Sequence, residues 1–365
     1  MKHYMKLALE LAAKWKGFTS PNPVVGAVVV KNDTIVGQGA HKKAGGPHAE
    51  VFALEEAGQA SEGSTLYVTL EPCSHHGKTP PCTDKIIESG VAKVVAAMED
   101  PNPLVAGRGL KKLEEAGIEV EVGLCEEEAR KLNEIFIKYI LTRKPYVILK
   151  TAISLDGKIA ASSGDSKWIT NELSRIRVHQ IRNQVDGIVV GKNTLLQDDP
   201  RLNVRLEGKS SDPQKIVLMG ELDLTIDELE GKQVFKLSSQ ENPLILVVFE
   251  DGITNSQIDK LKELGVEVIL LPKKDGQLDL DQLLMELAGR GITSILLEGG
   301  NGLYTGFLKE ELVDKIYLFQ APKIVGDEGL NWVGSMGNGA ISESLQLKDV
   351  DYEPIADNIL TIGYL

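Results

Sequence analysis

The chain has 365 residues, enough for two ordinary domains, and its 42% hydrophobic and 25% charged content is typical of globular proteins. Its 40 basic and 53 acidic residues give a formal net charge of −13, which argues against nucleic acid as the main partner because phosphate backbones require concentrated Lys and Arg. Three cysteines predict a reducing compartment without disulfides, and the apolar runs are far shorter than a membrane span, so we expect a cytoplasmic protein that contacts no membrane.

The first half alternates helices with apolar strands. In chain order, the pattern predicts an amphipathic helix over 1–15, a strand over 24–30, a helix over 48–58, a strand over 66–70, a helix over 82–89, a strand over 91–98, a helix over 109–116 and a strand over 119–122. This alternation predicts a layered α/β sheet whose ligands lie beyond the carboxyl ends of strands. A charged helix predicted over 126–142 ends before Lys144-Pro145, where we place a domain boundary.

The second half begins another α/β unit. Strands are predicted over 145–153, 187–190, 215–219, 243–248, 266–270 and 294–297. A helix is predicted over 171–183, with Thr170 as its N-cap. The polar stretch 221–241 gives the weakest pattern. We therefore expect one domain over 1–144 and a second over 145–365.

Four residues of the first half form a chemically informative set: His48, Glu50, Cys73 and Cys82. One imidazole and two thiolates supply three ligands to a tetrahedral zinc ion and leave a fourth position open for water, as in catalytic sites. Glu50 lies two residues from its neighbouring ligand and can reach that water to move its proton. His-x-Glu followed by Pro-Cys is the signature of zinc-dependent nucleobase deaminases.

The gap between the two cysteines departs from that signature, because eight residues separate them instead of two. Both cysteines could still lie near helix N-termini, where the helix dipole favours a thiolate. Two alternatives stay open at this point. A structural zinc site would take a fourth ligand, which His75 or His76 could supply. The cysteines could also be ordinary buried thiols beside a surface histidine.

Longer segments carry a family resemblance. They are Pro21-Asn22-Pro23-Val24-Val25-Gly26, His48-Ala49-Glu50 and Glu71-Pro72-Cys73-Ser74-His75-His76-Gly77-Lys78-Thr79-Pro80-Pro81-Cys82. Together they resemble the bifunctional deaminase–reductase family of riboflavin biosynthesis, whose usual pattern has the long cysteine gap. The resemblance implies a cytidine-deaminase-like three-layer domain, with Zn²⁺ on His48, Cys73 and Cys82 and with Glu50 as its catalytic residue. It also implies substrate contacts from Asn22, His41, His75 and Lys78.

The second half lacks a Gly-x-Gly-x-x-Gly motif after its first strand, so a Rossmann dinucleotide site is not supported. Segments 150–152, 154–158, 165–170, 191–194 and 198–205 resemble the reductase domain of the same family, which has a dihydrofolate-reductase-like α/β fold and uses NADPH. The resemblance implies cofactor contacts from Ala152, Trp168, Thr194, Asp198, Gly300, Asn301, Gly302, Leu303, Tyr304, Thr305 and Gly306. It implies substrate contacts from Ser166, Arg182, Leu202, Arg205 and Glu298.

Physical arguments support part of this second set. The glycines after Glu298 let backbone amides approach a phosphate, although a simple strand–helix turn gives the same pattern. Arg182 and Arg205 suit a ribose phosphate because guanidinium groups bind phosphate oxygens in a fork, but Arg182 could equally belong to a solvated helix face. Lys150 in an apolar strand is costly to bury unless it is paired or functional. Lys150 and Asp198 are both candidates for the reductase proton donor.

The resemblance implies an enzyme with two steps. Zinc-dependent hydrolysis removes the 2-amino group of 2,5-diamino-6-(ribosylamino)-4(3H)-pyrimidinone 5′-phosphate, and NADPH then reduces the ribosyl group to ribityl. We expect small phosphorylated substrates and further copies of the chain as partners. One rival is a deaminase of nucleic-acid bases, which would need a basic, aromatic-rich face that 5% aromatic content does not indicate. The other rival is an interaction module stabilised by structural zinc.

Overall fold

The computed structural model describes residues 1–75, 80–103, 105–208 and 212–365. The described residues form two compact units, Met1–Arg143 and Lys144–Leu365. Each unit has a hydrophobic core of its own, built on Val28, Leu66 and Met98 in the first and on Leu149, Ile295 and Phe307 in the second. Throughout the described ranges, the helices are too short or too polar to cross a lipid bilayer.

The first unit has a mixed sheet between helices. Its elements are α1 Lys2–Ala13, β1 Gly26–Lys31, β2 Thr34–Ala40, α2 Ala49–Ala57, β3 Thr65–Val68, α3 Cys82–Glu88, β4 Lys93–Ala96, α4 Arg108–Glu115, β5 Glu119–Val122, α5 Glu126–Leu132 and α6 Glu134–Thr142. The described strands lie in the order β2-β1-β3-β4-β5. Strand β1 runs antiparallel to both neighbours, whereas β3, β4 and β5 are parallel.

Glycines let helices approach this sheet from both faces. A Cβ atom on Gly26 would lie 2.0 Å from the Ala8 carbonyl oxygen of α1, and one on Gly39 would lie 2.2 Å from the Ala49 oxygen of α2. Gly39 pairs with Ala27, the neighbour of Gly26, so the two glycines face opposite sides of the sheet. The unit therefore has three layers, and α2, which carries Glu50, lies directly against β2.

The second unit has a larger sheet. Its elements are β6 Tyr146–Ile153, β7 Lys158–Ala160, α7 Glu172–Arg182, β8 Gly187–Gly191, α8 Lys192–Asp198, β9 Gln214–Gly220, α9 Ile226–Glu230, α10 Gln233–Lys236, β10 Leu244–Phe249, α11 Asn255–Glu263, β11 Val266–Leu271, β12 Lys273–Lys274, β13 Gln277–Leu278, α12 Leu280–Gly289, β14 Ser294–Leu297, α13 Asn301–Lys309, β15 Lys315–Gln320, β16 Leu330–Asn331, β17 Lys348–Ile355 and β18 Asn358–Tyr364. In the described residues, nine strands lie in the order β11-β10-β9-β8-β14-β6-β15-β18-β17.

The order of these strands brings distant segments together. The strands from β11 to β15 in the sheet are parallel, and β14 lies between β8 and β6, with Leu297 paired to both Val189 and Leu149. The residues that follow these positions, Glu298 and Lys150 among them, therefore meet at the carboxyl edge of the sheet. Ligands bind at this edge in open α/β sheets.

Several predicted boundaries are wrong. The helix predicted over 126–142 is interrupted at Asn133, whose side chain accepts a hydrogen bond from Val24 N (2.9 Å) and donates one to Val24 O (3.1 Å). Asn171, and not Thr170, caps α7, because its side-chain oxygen accepts from Ser174 N at 2.8 Å. The sequence pattern also does not predict β2, β15, β17 and β18, because β2 is interrupted by glycines and β17 is polar and exposed.

Candidate active sites

Three candidate metal ligands of the first unit converge in the structure. His48 immediately precedes α2, Cys73 lies in the loop after β3, and Cys82 opens α3. Their ligand atoms all lie within 4.8 Å of one another. His48 Nδ1 is 3.1 Å from Cys82 Sγ and 3.5 Å from Cys73 Sγ, and Cys82 N donates to Cys73 Sγ at 3.3 Å. One imidazole and two thiols at these distances fit the donor set of a zinc ion with an open position.

The charges of the cluster also fit a cation. The adjacent Cys82 thiol and the His48 imidazole lower the pKa of Cys73 well below the usual range of a thiol, which favours its thiolate form. The neighbouring Cys73 sulfur and burial raise the pKa of Cys82. Two sulfurs this close resist a second negative charge, and a divalent cation between them removes that cost because metal-bound thiols are deprotonated.

Glu50 lies beside this cluster without being one of its three ligands. It occupies the first turn of α2, and only 3% of the residue is exposed. Among the described residues, its Oε2 atom has no hydrogen-bond partner. Burial raises the pKa of this carboxyl group. A buried polar atom without a partner is costly, so this oxygen suits a polar ligand bound next to the metal ligands.

The predicted deaminase substrate residues have different placements. His41 is buried and donates from Nδ1 to the Pro47 carbonyl (3.0 Å), while its Nε2 accepts from Asn22 Nδ2 (3.1 Å). The His41 ring also lies edge-on to the ring of His48, with centroids 5.3 Å apart. Asn22 and His41 are thus next to the metal ligands. His75 is exposed, and the metal-ligand cluster found in the described residues does not include it.

Two further positions of the inserted loop lie outside the described residues. They are Lys78, predicted to contact substrate, and His76, considered as a fourth metal ligand. The roles of Lys78 and His76 therefore remain predictions from the sequence. The three-ligand centre defined above depends on neither, since its side chains all belong to the described part of the chain.

The second unit has a charged cluster at the carboxyl edge of its sheet. Arg182 of α7 forms a two-pronged ion pair with Glu298, through Nε to Oε1 at 2.6 Å and Nη2 to Oε2 at 2.8 Å. Lys150 Nζ of β6 lies 4.0 Å from the same carboxylate. All three side chains are largely buried, with exposed fractions of 13%, 9% and 17% for Arg182, Glu298 and Lys150. Arg182 therefore does not lie on a solvated helix face.

Burial and charge act against each other in this cluster. Burial alone would raise the pKa of Glu298, but the Arg182 charge and its hydrogen bonds hold that pKa at about 2. Burial lowers the pKa of Lys150 from its ordinary value of 10.5, and Glu298 partly opposes this effect. Tyr304 donates its hydroxyl to the Lys150 carbonyl at 2.7 Å, which fixes the backbone of the lysine. The cluster thus holds one buried lysine that can lose its proton more readily than usual.

The cluster opens into a cleft of about 630 Å³. Predicted residues that line it are Lys150, Ala152, Ser166, Arg182, Thr194, Asp198, Leu202, Glu298, Gly300, Asn301, Gly302, Leu303 and Tyr304. The backbone amides that open α13 belong to this wall, where they suit a phosphate. Ser166 Oγ donates to Asp198 Oδ1 across the cleft at 3.1 Å.

Four predicted residues lie outside the described lining of this cleft. Trp168 is exposed and faces the guanidinium of Arg175 at 4.3 Å. Arg205 donates from its backbone nitrogen to His179 Nδ1 at 3.3 Å. Thr305 accepts from Gly334 N at 2.8 Å, and a Cβ on Gly306 would face Leu280 at 3.5 Å. The ligand contacts implied for Trp168, Arg205, Thr305 and Gly306 stay predictions.

Sequence reasoning did not single out His179, which belongs to the surroundings of the charged cluster. It lies three residues before Arg182 in α7, so both side chains share one face of the helix. Burial and the neighbouring Arg182 charge lower the pKa of His179 to about 4. The imidazole is therefore neutral at physiological pH. Helical spacing from Arg182 is the signal that could have identified it.

The fold and the two sites define a class of protein: a zinc-dependent deaminase joined in one chain to a reductase. Family models agree with this class. The model described as the cytidine and deoxycytidylate deaminase zinc-binding region matches residues 1–98, and the model described as the RibD C-terminal domain matches residues 145–361. The chain belongs to the RibD family, the bifunctional enzymes of riboflavin biosynthesis.

Relatives and solved structures extend over nearly the whole chain. The riboflavin biosynthesis protein RibD of Aquifex aeolicus is 48% identical over 98% of this chain and 97% of the relative, and that of Escherichia coli is 42% identical over 95% and 94%. RibD of Acinetobacter baumannii (form 1) has a TM-score of 0.88 at 37% identity, covering 100% of this chain and 98% of the other. A deaminase/reductase structure from Thermotoga maritima has a TM-score of 0.84 at 40% identity with the same coverage.

These findings confirm the family resemblance, the predicted fold class, the two enzyme activities and both cofactors, Zn²⁺ and NADPH. The chain is a deaminase and a reductase of riboflavin biosynthesis, hence a hydrolase and an oxidoreductase, and its substrates are small molecules. The family assignment replaces both rivals, the deaminase of nucleic-acid bases and the structural-zinc module.

Proposed function

We propose that residues 1–144 deaminate the diaminohydroxyphosphoribosylaminopyrimidine and that residues 145–365 reduce the resulting 5-amino-6-(5-phosphoribosylamino)uracil. The Thermotoga maritima protein is known as a deaminase and a reductase of these two compounds. The observation that carries the proposal is the unpartnered Oε2 atom of Glu50 beside three converging metal ligands. The family-model matches to 1–98 and 145–361 support the division between the two domains.

In the deaminase site, His48, Cys73 and Cys82 hold the metal and the remaining polar groups act on the substrate. A zinc ion held by these three ligands would acidify a water molecule and so provide the nucleophile. Glu50 takes up a proton at Oε2, its unpartnered atom, and delivers it to the departing amine, so that ammonia leaves. Asn22 and His41 hold the pyrimidine edge, since their mutual hydrogen bond fixes both side chains beside His48. His75 and Lys78 complete the substrate contacts.

In the reductase site, the chain orients two ligands and supplies a proton. When bound, NADPH would supply the hydride for C1′ of the ring-opened ribosyl imine, and the proton goes to the imine nitrogen. Ala152, Thr194, Asp198 and the α13 amides hold the cofactor along the cleft wall. Ser166, Leu202, Arg182 and Glu298 hold the substrate. The ion pair with Glu298 leaves one Arg182 nitrogen, Nη1, donating to the Asn203 carbonyl at 3.1 Å.

Lys150, and not Asp198, is our candidate for the proton donor. Lys150 lines the cleft and its pKa is lowered by burial, so it releases a proton more easily than an exposed lysine. Asp198 is exposed and accepts a hydrogen bond from Ser166. We therefore assign Asp198 to ligand binding and not to proton transfer.

Replacing Lys150 with glutamine is expected to lower the reductase kcat by about 10²-fold, because general acid catalysis contributes at least that much. An alkaline decline of the wild-type rate is expected because the donor must be protonated, at a lower pH than for an exposed lysine because burial lowers the pKa of Lys150, and it is expected to disappear in the variant. Asp198→Asn is the comparison: it should raise KM with little change in kcat. A large loss of kcat in Asp198→Asn together with a near-normal Lys150→Gln enzyme would reverse the assignment.

The complete function is tested with the purified chain and the aminopyrimidine phosphate. We expect about one zinc ion per chain by metal assay, release of ammonia without NADPH, and loss of NADPH absorbance when the cofactor is added. Zinc without ammonia release would contradict the deaminase assignment. Ammonia release without NADPH oxidation would contradict the reductase assignment alone.

We further infer that the chain associates with itself and acts in the cytoplasm without nucleic-acid or membrane partners. Exposed apolar side chains at the end of the second unit support self-association: Tyr352 of β17 is 70% exposed and Ile359 of β18 is 47% exposed. Sedimentation equilibrium measures this association. Two thiols that must stay reduced to hold zinc favour a reducing compartment, and the charge of −13 disfavours nucleic acid.

A further inference from the structure

Glu71 is a buried carboxylate two residues before the metal ligand Cys73. Its side chain accepts three backbone hydrogen bonds: Oε2 accepts from Asp100 N (3.0 Å) and Gly107 N (2.9 Å), and Oε1 accepts from Gly109 N (2.8 Å). Only 4% of the residue is exposed. Charge-assisted hydrogen bonds of this kind are stronger than neutral ones, so Glu71 joins three separate backbone positions firmly.

These bonds make Glu71 the cap of a helix that lies elsewhere in the sequence. Helix α4 begins at Arg108 and is preceded by Gly107, which has no side chain to accept from the free N–H groups of the first turn. Glu71 accepts from two of the N–H groups around this helix start. Its negative charge also lies at the end of the helix where the dipole favours an anion.

A second contact brings the same helix against the residue next to Cys73. A Cβ atom on Gly109 would lie 2.0 Å from the Pro72 carbonyl oxygen, a distance that a side chain cannot occupy. The backbone of α4 therefore lies directly on the backbone of Pro72, and glycine is required there. Through Glu71 and Gly109, the start of α4 fixes the chain immediately before the metal ligand.

The other side of Cys73 is fixed by α3. The Cys73 carbonyl accepts from Thr83 N at 3.1 Å, and its sulfur accepts from Cys82 N at 3.3 Å. Cys73 is thus held between two helix starts, one through Cys82 and the other through Glu71. Both carboxylate oxygens of Glu71 are occupied by backbone N–H groups, so this residue is positioned to orient a ligand and not to bind the metal or the substrate.

We propose that Glu71 is a positioning residue of the zinc centre, which sets metal affinity and ligand geometry by fixing Cys73 against α4. This inference rests on the proposed zinc site and adds to it a residue outside the coordination shell. Groups that orient metal ligands from outside that shell affect affinity or activity by about 10- to 100-fold when they are replaced.

Glu71→Gln is the central test. In either orientation of the new amide, its NH₂ group faces at least one of the three backbone N–H groups, so a hydrogen bond becomes a donor–donor contact. We expect the zinc dissociation constant to rise about 10- to 100-fold and the visible spectrum of the Co²⁺-substituted enzyme to shift. The deaminase kcat should fall with little change in KM, and the reductase rate should stay that of the wild type.

Two further variants separate positioning from general stability. Glu115→Gln makes the same chemical change at the far, exposed end of α4 and should leave zinc affinity, the Co²⁺ spectrum and both activities unchanged. Glu71→Asp keeps the charge and both acceptors on a shorter side chain, and it should recover part of the zinc affinity that Glu71→Gln loses. Loss of the reductase rate would show that Glu71→Gln does not fold. In that case the zinc affinity and the Co²⁺ spectrum of the milder Glu71→Asp variant test the inference.

The inference is overturned if Glu71→Gln folds with the zinc affinity and Co²⁺ spectrum of the wild type, or, where Glu71→Gln does not fold, if Glu71→Asp folds with the zinc affinity and Co²⁺ spectrum of the wild type. In that case the zinc site and its proposed function stand, because the wild type still binds metal and releases ammonia. If the wild-type chain binds no zinc, the proposed site itself fails and this inference fails with it.

Discussion

Glu50→Gln is expected to lower the deaminase kcat by about 10³-fold while zinc stays bound, since proton transfer by a positioned side chain contributes about 10²- to 10⁴-fold. The three atoms that converge on the metal site come from His48, Cys73 and Cys82, so the substitution removes no ligand. Glutamine keeps the shape of the buried side chain but cannot take up and deliver a proton. Ammonia release and zinc content, measured on the same sample, test the two halves of this expectation.

The other half of the chain is an internal control for this variant, because its reductase rate should not change. Glu55→Gln, at an exposed position of the same helix α2, is the matched substitution and should be silent. Ammonia release close to the wild-type rate would remove Glu50 from the mechanism. Loss of zinc from Glu50→Gln would instead give Glu50 a role in holding the metal ligands.

The metal centre was predictable because its information is local and chemical. His48 and Glu50 are two residues apart, the two cysteines follow within one stretch, and few other functions need these residue types together. The contacts that hold the centre were not predictable in the same way. Asn133 forms hydrogen bonds with Val24, which lies 109 residues earlier in the chain. Glu71 caps a helix that begins only at Arg108. No periodicity in a single sequence records such contacts.

The charged cluster of the second unit shows the same limit. The sequence correctly indicated that Lys150 needs a partner if buried, but it did not pair Lys150 or Arg182 with Glu298. That pairing depends on the position of β14 between β6 and β8, which only the order of the strands determines. The final strands were missed because β17 carries Asp349, Asp351 and Glu353, whereas predicted strands were apolar runs.

Glu298→Gln is expected to lower the reductase kcat/KM by about 10³-fold. Removing the carboxylate charge leaves Arg182 and Lys150 as buried cations without their counter-ion, which costs about 3 to 5 kcal/mol in comparable buried pairs. That cost falls on the folded protein, and the rate falls because the unpaired cations lose their positions in the cleft, since misplaced groups of a site cost about 10²-fold or more in rate. Steady-state NADPH oxidation with the aminouracil phosphate measures the loss, and the deaminase rate of the same chain should be unchanged.

The same variant also predicts the direction of a pH shift. Burial lowers the pKa of Lys150, Glu298 raises it, and Arg182 lowers it. Without the Glu298 charge the raising contribution is lost and the lowering contribution of Arg182 remains, so the pKa of Lys150 falls further. Because the lysine donates its proton only when it is protonated, the rate of Glu298→Gln should begin to decline at a lower pH than that of the wild type.

This pH shift distinguishes a specific effect of Glu298 from general damage to the fold. Glu263→Gln, at an exposed position of α11, is the matched control and should show the wild-type pH profile. Equal loss of both activities in Glu298→Gln would indicate misfolding. An alkaline decline that stays in place or moves to higher pH would contradict proton donation by Lys150, because the charge that raises its pKa would then have no part in the reductase step.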